Sequence, residues 1–215
     1  TKYQISSNLS RKDQVTDAVR MKFAFINNQF DIRPKVIHCD GDRNLLPFLA
    51  ECEEKGIEVH VTPPHQPEQN GYAERSGALI STMARTMLIN ANLPAYLWPE
   101  AVNTAVYTQT KLPNKQLNWI SPQQALVSRL ATAPAYMTLI PSLSNIRIYG
   151  CKAYVRILSI PRLFKMSVRA QIGYLVGYDA SNIWRIWTRL YVHVTWFSTK
   201  RVSIPRKNGI MMFRW

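Results

Sequence analysis

Apolar residues recur along this chain at two periods, and the change from one to the other divides it. Up to about residue 110 they recur at helical spacing, interrupted by short β-branched runs. Val15, Val19, Phe23 and Ile26 predict a helix over Arg11–Phe30, capped by Ser10 and ended before Pro34. Leu45, Leu46, Phe48, Leu49 and Cys52 predict an inward face on a second helix, Leu45–Lys55, closed by Gly56. Leu79, Ile80, Met83, Met87 and Leu88 predict a third, which ends near Asn90 and takes Asn70 as its N-cap. A fourth runs from Leu93 to about Thr110, with Leu97, Trp98, Ala101, Ala105 and Val106 buried. Between them, Lys35–Cys39 and Ile57–Val61 read as strands, and residues 2–6 as the end of another. Strand and helix alternating in this way predict an α/β layer.

Residues 113–145 form a Pro-rich connector with one short helix over Pro122–Ser128. From Ile146 the pattern becomes β: 146–149, 152–158, 171–178, 183–188 and 191–197. Five short runs separated by Gly, Asp and Ser predict a small barrel. The basic tail after Lys200 is expected to fray.

Two acids occupy places where chemistry can be built. Asp40 follows the strand Val36-Ile37-His38-Cys39, and Glu74 falls in the first turns of the third helix, off its apolar face. Acids so placed can converge on one divalent cation. Asp42 is an alternative ligand at the same strand end. By itself, an Asp after a strand is usually a turn residue.

These residues sit in ordered blocks. Asp40 is followed by Glu54-Lys55-Gly56-Ile57, then Pro67-Glu68-Gln69-Asn70-Gly71-Tyr72-Ala73-Glu74-Arg75, Ala84-Arg85-Thr86-Met87-Leu88, Leu97-Trp98-Pro99-Glu100-Ala101 and Asn103-Thr104-Ala105-Val106-Tyr107. Together they resemble the second half of the catalytic core of copia-type LTR-retrotransposon integrases. Tyr149–Val155 and Gly173–Tyr178 resemble the SH3-like segment that follows that core. The resemblance implies a partial RNase H-like core over 1–112, a linker, an SH3-like β-barrel over 146–200 and a basic tail over 201–215. It implies Mg²⁺ or Mn²⁺ held by Asp40 and Glu74, since hard oxygen ligands suit those ions. Paired cations of this kind activate the attacking oxygen and neutralise the scissile phosphate. It also implies DNA as substrate (RNA as the alternative), a homo-oligomer and a nuclear location.

The chain departs from the family pattern in ways that bear on activity. The family's first catalytic Asp lies upstream of Thr1, and the chain, which lacks an initiator Met, reads as a fragment. Asp42-Arg43-Asn44 stands where the family has Gly-Gly-Glu, and Gly77-Ala78 where it has Asn-Arg. The expectation is therefore weak metal binding and little strand transfer. The competing readings are a non-catalytic nucleic-acid-binding module and a non-functional remnant.

Charge favours a polyanion partner. The net charge is +14, and residues 101–215 hold 16 of the 27 basic residues but one of the 13 acids, Asp179. Arg147, Lys152, Arg156, Arg162, Lys165 and Arg169 interleave with Tyr149, Tyr154 and Phe164, the mixture expected of a nucleic-acid surface. Asn70, Arg75, Arg85 and Lys111 are further candidates for DNA contact, although a cap or a solvated face explains each of them. No apolar run approaches the ~20 residues of a membrane helix, and the start is no signal peptide. Cys39, Cys52 and Cys151 are odd in number and widely spaced, so reduced thiols and no zinc site are expected.

Overall fold

A computed structural model describes residues 1–62, 67–130, 141–157, 166–188 and 192–196. It is a mixed helix and strand fold with two small sheets. The chain divides into two compact units, one of Ser7–Leu79 and one of Thr1–Ser6 with the described residues from Ile80 onward. The boundary between these units falls inside a helix.

The first unit is built from α1 (Val15–Phe30), β1 (Val36–Asp40), α2 (Leu46–Glu54), β2 (Glu58–Thr62) and the first part of α3 (Pro67–Asn90). A short 3-10 turn precedes α1. There Gln14, not Ser10, does the capping: its side chain accepts from the Ser10 and Arg11 backbone N–H groups (3.1 and 3.4 Å). Asp31, at φ 50°, ends α1.

α2 closes on a Schellman turn. Gly56, at φ 73°, donates to the Glu53 carbonyl, and Ile57 donates to that of Cys52 (both 2.9 Å). This reverses the chain directly into β2, which pairs with β1 in parallel, Val36 opposite Glu58 and Asp40 opposite Thr62. Phe48, Leu49 and Cys52 form the core, against Phe23, Ile37 and Val59. Leu46 does not join them and is 55% exposed, because it lies about 200° around the helix from Phe48.

In the second unit, the later turns of α3 pack Ile80, Ala84 and Leu88 into one core with Leu97, Ala101, Ala105 and Val106. Leu79, expected inside, is 46% exposed. α4 (Trp98–Lys111) and α5 (Pro122–Leu130) follow. Then comes an antiparallel sheet in the order β3 (Lys152–Arg156), β4 (Ala170–Ala180), β5 (Ile183–Trp187) and β6 (Val192–Trp196). Among the described residues this sheet is open, and the expected closed barrel is not formed.

Residues 2–6 form no strand; Ser6 instead donates its hydroxyl to Asn103 of α4 (2.7 Å). Nor do residues 146–149. Their backbone is engaged elsewhere: the Tyr178 hydroxyl accepts from Arg147 N–H and donates to its carbonyl (both 2.8 Å). The Trp184 indole donates to the Asn145 carbonyl (3.1 Å). Tyr178 stacks on Tyr107, ring centroids 4.5 Å apart, which holds this corner against α4.

A polar seam joins α4 to the sheet. Thr104 donates its hydroxyl to the Val176 carbonyl (2.5 Å). Arg185 of β5 donates through Nη2 to Glu100 (3.3 Å) and through Nη1 to Asp179 (3.1 Å). Glu100 is fully buried, and a Cβ on Gly177 would stand 3.1 Å from its Oε2, so glycine permits the close approach. Burial pushes Glu100 up to about 8, against the opposing effect of the Arg185 charge.

Two outcomes follow. Gly173→Ala places a methyl 2.4 Å from Ile186 Cγ2, and the expected cost is about 1–3 kcal/mol, read by urea denaturation. For Glu100, the folded state keeps a proton that the unfolded chain releases above its ordinary value of 4.5. Its contribution to stability is therefore greatest below that pH, declines as pH rises toward about 8 and is level beyond. Glu100→Gln should remove that decline, and an unchanged pH slope in the variant would contradict this account.

Candidate functional site

β1 ends at Asp40, where the parallel pair finishes opposite Thr62. Its carboxylate lies outside the described set. Glu74 stands in the second turn of α3 and is exposed, in the same compact unit as Asp40. Asp42, the alternative ligand, already accepts two hydrogen bonds through one oxygen, Oδ1. It is the N-cap of the 3-10 turn that leads into α2, and it accepts from the Asn44 backbone N–H (3.0 Å) and side-chain amide (2.6 Å). These hydrogen bonds hold its carboxyl below the usual aspartate value. Among the described residues, no three His, Cys, Asp or Glu side chains gather into a group able to hold a metal ion.

α3 starts at Pro67, so Asn70 lies within the helix and is not its cap. Proline is favoured at a first helical position, where its missing N–H costs no bond. Arg75 and Arg85 are both exposed on this helix. Arg85 borders a shallow groove with Leu88, Ile89 and Trp98, the last expected inside but 37% exposed. Lys111 is not on a solvated face: it is buried, its ammonium 4.7 Å from the centre of the Tyr107 ring. That cation–π contact leaves it poorly placed to meet a phosphate.

The basic and aromatic residues of β3 are sorted by strand alternation. Ala153 and Val155 face the core with Leu175 and Ile186. Lys152, Tyr154 and Arg156 face outward. Opposite them in register lie Tyr174, Ile172 and Ala170 of β4. The result is a sheet face with a cation at each end of one strand and half-exposed Tyr154 (48%) and Ile172 (51%) between them. Arg169 is exposed just beyond, where its carbonyl accepts from Ile157 N–H (2.9 Å). Alternation sets it off this face. Arg147 is exposed, but its guanidinium turns back onto the Ser144 and Ile146 carbonyls. Arg162 and Lys165 lie outside the described residues.

Ile172 and Tyr174 complete this face and were not singled out from the sequence. Their signal was the two-residue period running backwards from Tyr174 through Ile172 to Ala170, in register with Lys152, Tyr154 and Arg156. No helix among the described residues is long and apolar enough to cross a membrane.

No family model matches the chain. It is similar to several known polyproteins. The retrovirus-related Pol polyprotein from transposon RE1 of Arabidopsis thaliana is 30% identical over 154 residues, covering 72% of this chain and 10% of that protein. The corresponding protein from transposon TNT 1-94 of Nicotiana tabacum is 28% identical over 182 residues, 83% of this chain and 13% of that protein. The transposon Ty1-DR6 Gag-Pol polyprotein of Saccharomyces cerevisiae is 30% identical over 120 residues, 54% and 7%. The chain thus spans about a tenth of the length of these relatives. A chain of the simian T-cell lymphotropic virus intasome in complex with PP2A regulatory subunit B56 gamma overlaps at a TM-score of 0.42 and 16% identity. It covers 93% of this chain and 67% of that one, an overlap too loose to establish a fold.

The capping role of Asp42 is open to test. Its depressed carboxyl contributes stability that is present above the ordinary value of 3.8 and is lost as pH falls through the lower folded value. Asp42→Ala should lower the urea midpoint at neutral pH, and Asp42→Asn should retain most of it, since Asn also caps. Both results should be the same in Mg²⁺ and in EDTA; a metal-dependent difference would make Asp42 a ligand.

Proposed function

Since this chain is a relative of the Pol polyproteins of retrotransposons, we propose that it is their integrase-like region and that its own activity is DNA binding. The observation that carries the binding is the outer face of β3 and β4, where Lys152 and Arg156 flank Tyr154 beside Ile172 and Tyr174. Cations set along a strand attract phosphates, and an exposed aromatic between them offers a stacking surface for a base. Arg75 and Arg85 on α3 supply further phosphate contacts. In this reading the unit around β1 and β2 is part of an RNase H-like core, and the β3–β6 sheet is an SH3-like module.

The integrase reaction needs a cage of carboxylates around Mg²⁺ or Mn²⁺. The acids at hand do not complete one. Asp40 and Glu74 are two, and Asp42 accepts hydrogen bonds as a cap. In this reading DNA binding, rather than strand joining, is the chain's own activity, and its partner is nucleic acid.

Fluorescence anisotropy on a short duplex across a salt series tests this reading. The joint variant Lys152→Glu and Arg156→Glu should weaken binding at least about tenfold and reduce the salt slope by about 2. Tyr154→Ala should weaken single-strand binding more than duplex binding, by about 1–3 kcal/mol per stacked base. Glu74→Gln should bind DNA as the parent chain does. Unchanged binding in the charge-reversed chain, or strand transfer that disappears in Glu74→Gln, would overturn the proposal.

A further inference from the structure

The unit that contains Asp40 also holds a cavity of about 740 Å³. It opens between the C-terminal parts of α1 and α2 and the residues that lead into the two strands: Lys35 before β1, Gly56 and Ile57 before β2. The strands are parallel and Asp40 ends β1. The cavity and the backbone of Asp40 therefore sit at opposite ends of the strand pair, about 16 Å apart at ~3.3 Å per residue.

Its floor is apolar. Phe23, Phe48, Cys52 and Ile57 line it, and Phe23 meets Phe48 edge to face with ring centroids 4.8 Å apart. Its rim is cationic. Arg20, Arg33, Lys35 and Lys55 border it, and Glu51 is the one acid among the lining residues. Glu51 is already bound to Arg20, which also holds Asp17 at 2.9 Å. Arg33, Lys35 and Lys55 are exposed and form no ion pair among the described residues. No substituent fills the space where a Cβ of Gly56 would stand.

A solvated group of cations needs no concave apolar floor, and neither does a phosphodiester backbone lying on a surface. Concave sites of about 300–1,000 Å³ with apolar walls and a few convergent polar groups are the usual form of a small-molecule site. Three exposed cations raise the local concentration of anions, and a guanidinium pairs with carboxylate or phosphate oxygens two at a time. We propose that this cavity binds a small organic anion with a compact apolar body, an aromatic carboxylate, sulfonate or phosphate ester. The body rests on Phe23, Phe48 and Ile57, and the charged group meets Arg33, Lys35 and Lys55. The site is independent of the DNA-binding face, so loss of DNA binding leaves it intact.

The test titrates the full chain with naphthalene-2-sulfonate, followed by calorimetry and by amide ¹H–¹⁵N shifts. One saturable site is expected, with shifts at the Gly56 and Ile57 amides. Inorganic phosphate lacks the body and 2-naphthylmethylammonium has the wrong charge, so each should bind at least about tenfold more weakly. Ala24→Trp, from an exposed lining position on α1, should block the site. Arg33→Glu with Lys35→Glu should weaken binding by at least about tenfold, and circular dichroism confirms that both variants fold. Equal affinity for the ammonium probe or for phosphate would overturn the proposal. So would undiminished binding in both folded variants, or no saturation by about 1 mM.

Discussion

Arg185 is the residue through which the second unit is held together. It stands on β5, reaches Asp179 of β4 and enters the face of α4 to meet Glu100. A carboxyl with no exposed surface needs such a donor, and burial keeps it protonated up to about pH 8. Removing Arg185 would leave a buried carboxyl oxygen without its donor, at about 1–3 kcal/mol. The seam also dictates composition around it. Gly177 is needed where the helix comes close, and Thr104 spends its hydroxyl on a strand carbonyl. Once α4 is fixed on β4, the Tyr107–Tyr178 stack and the corner at Arg147 take their places on the same frame.

The seam explains why a basic half keeps one acid. Asp179 is not a stray negative charge on a positive surface: it shares the guanidinium that Glu100 also uses. Lys152 and Arg156 stay outside, where alternation on β3 separates them and Tyr154 from Ala153 and Val155. The exposed cations of β3 and the buried contacts of Arg185 thus belong to different parts of one sheet.

Much of the local structure was legible in the sequence because it rests on local physics. The inward faces of α1 to α4 follow apolar periodicity apart from Leu46, Leu79 and Trp98, and the Gly56 stop follows from a left-handed position that glycine adopts freely. β1 and β2 appear within a residue of their expected limits. What sequence could not supply depends on partners distant along the chain. Residues 146–149 have β composition, but Tyr178 captures the backbone of Arg147, and Trp184 that of Asn145 just before them. Lys111 has the look of a solvent cation, yet Tyr107 one turn earlier shelters it. Of the two candidate carboxylates, the strand-end and early-helix positions were readable. The engagement of Asp42 in a cap needed the geometry of Asn44. The cationic cavity was invisible because its rim comes from three segments, none of which is a cluster by itself.

The Glu100–Arg185 contact also sets an order of events in synthesis, since 85 residues separate its ends. At ~5–20 residues per second, α4 waits roughly 4–17 s for its guanidinium to be made. Through that interval Glu100 has no reason to leave water, and closing so long a loop is slow compared with forming the helices on either side. The acid that ends up most enclosed is therefore among the last side chains to be enclosed, and the nascent protein carries α4 as a loosely held helix until β5 arrives.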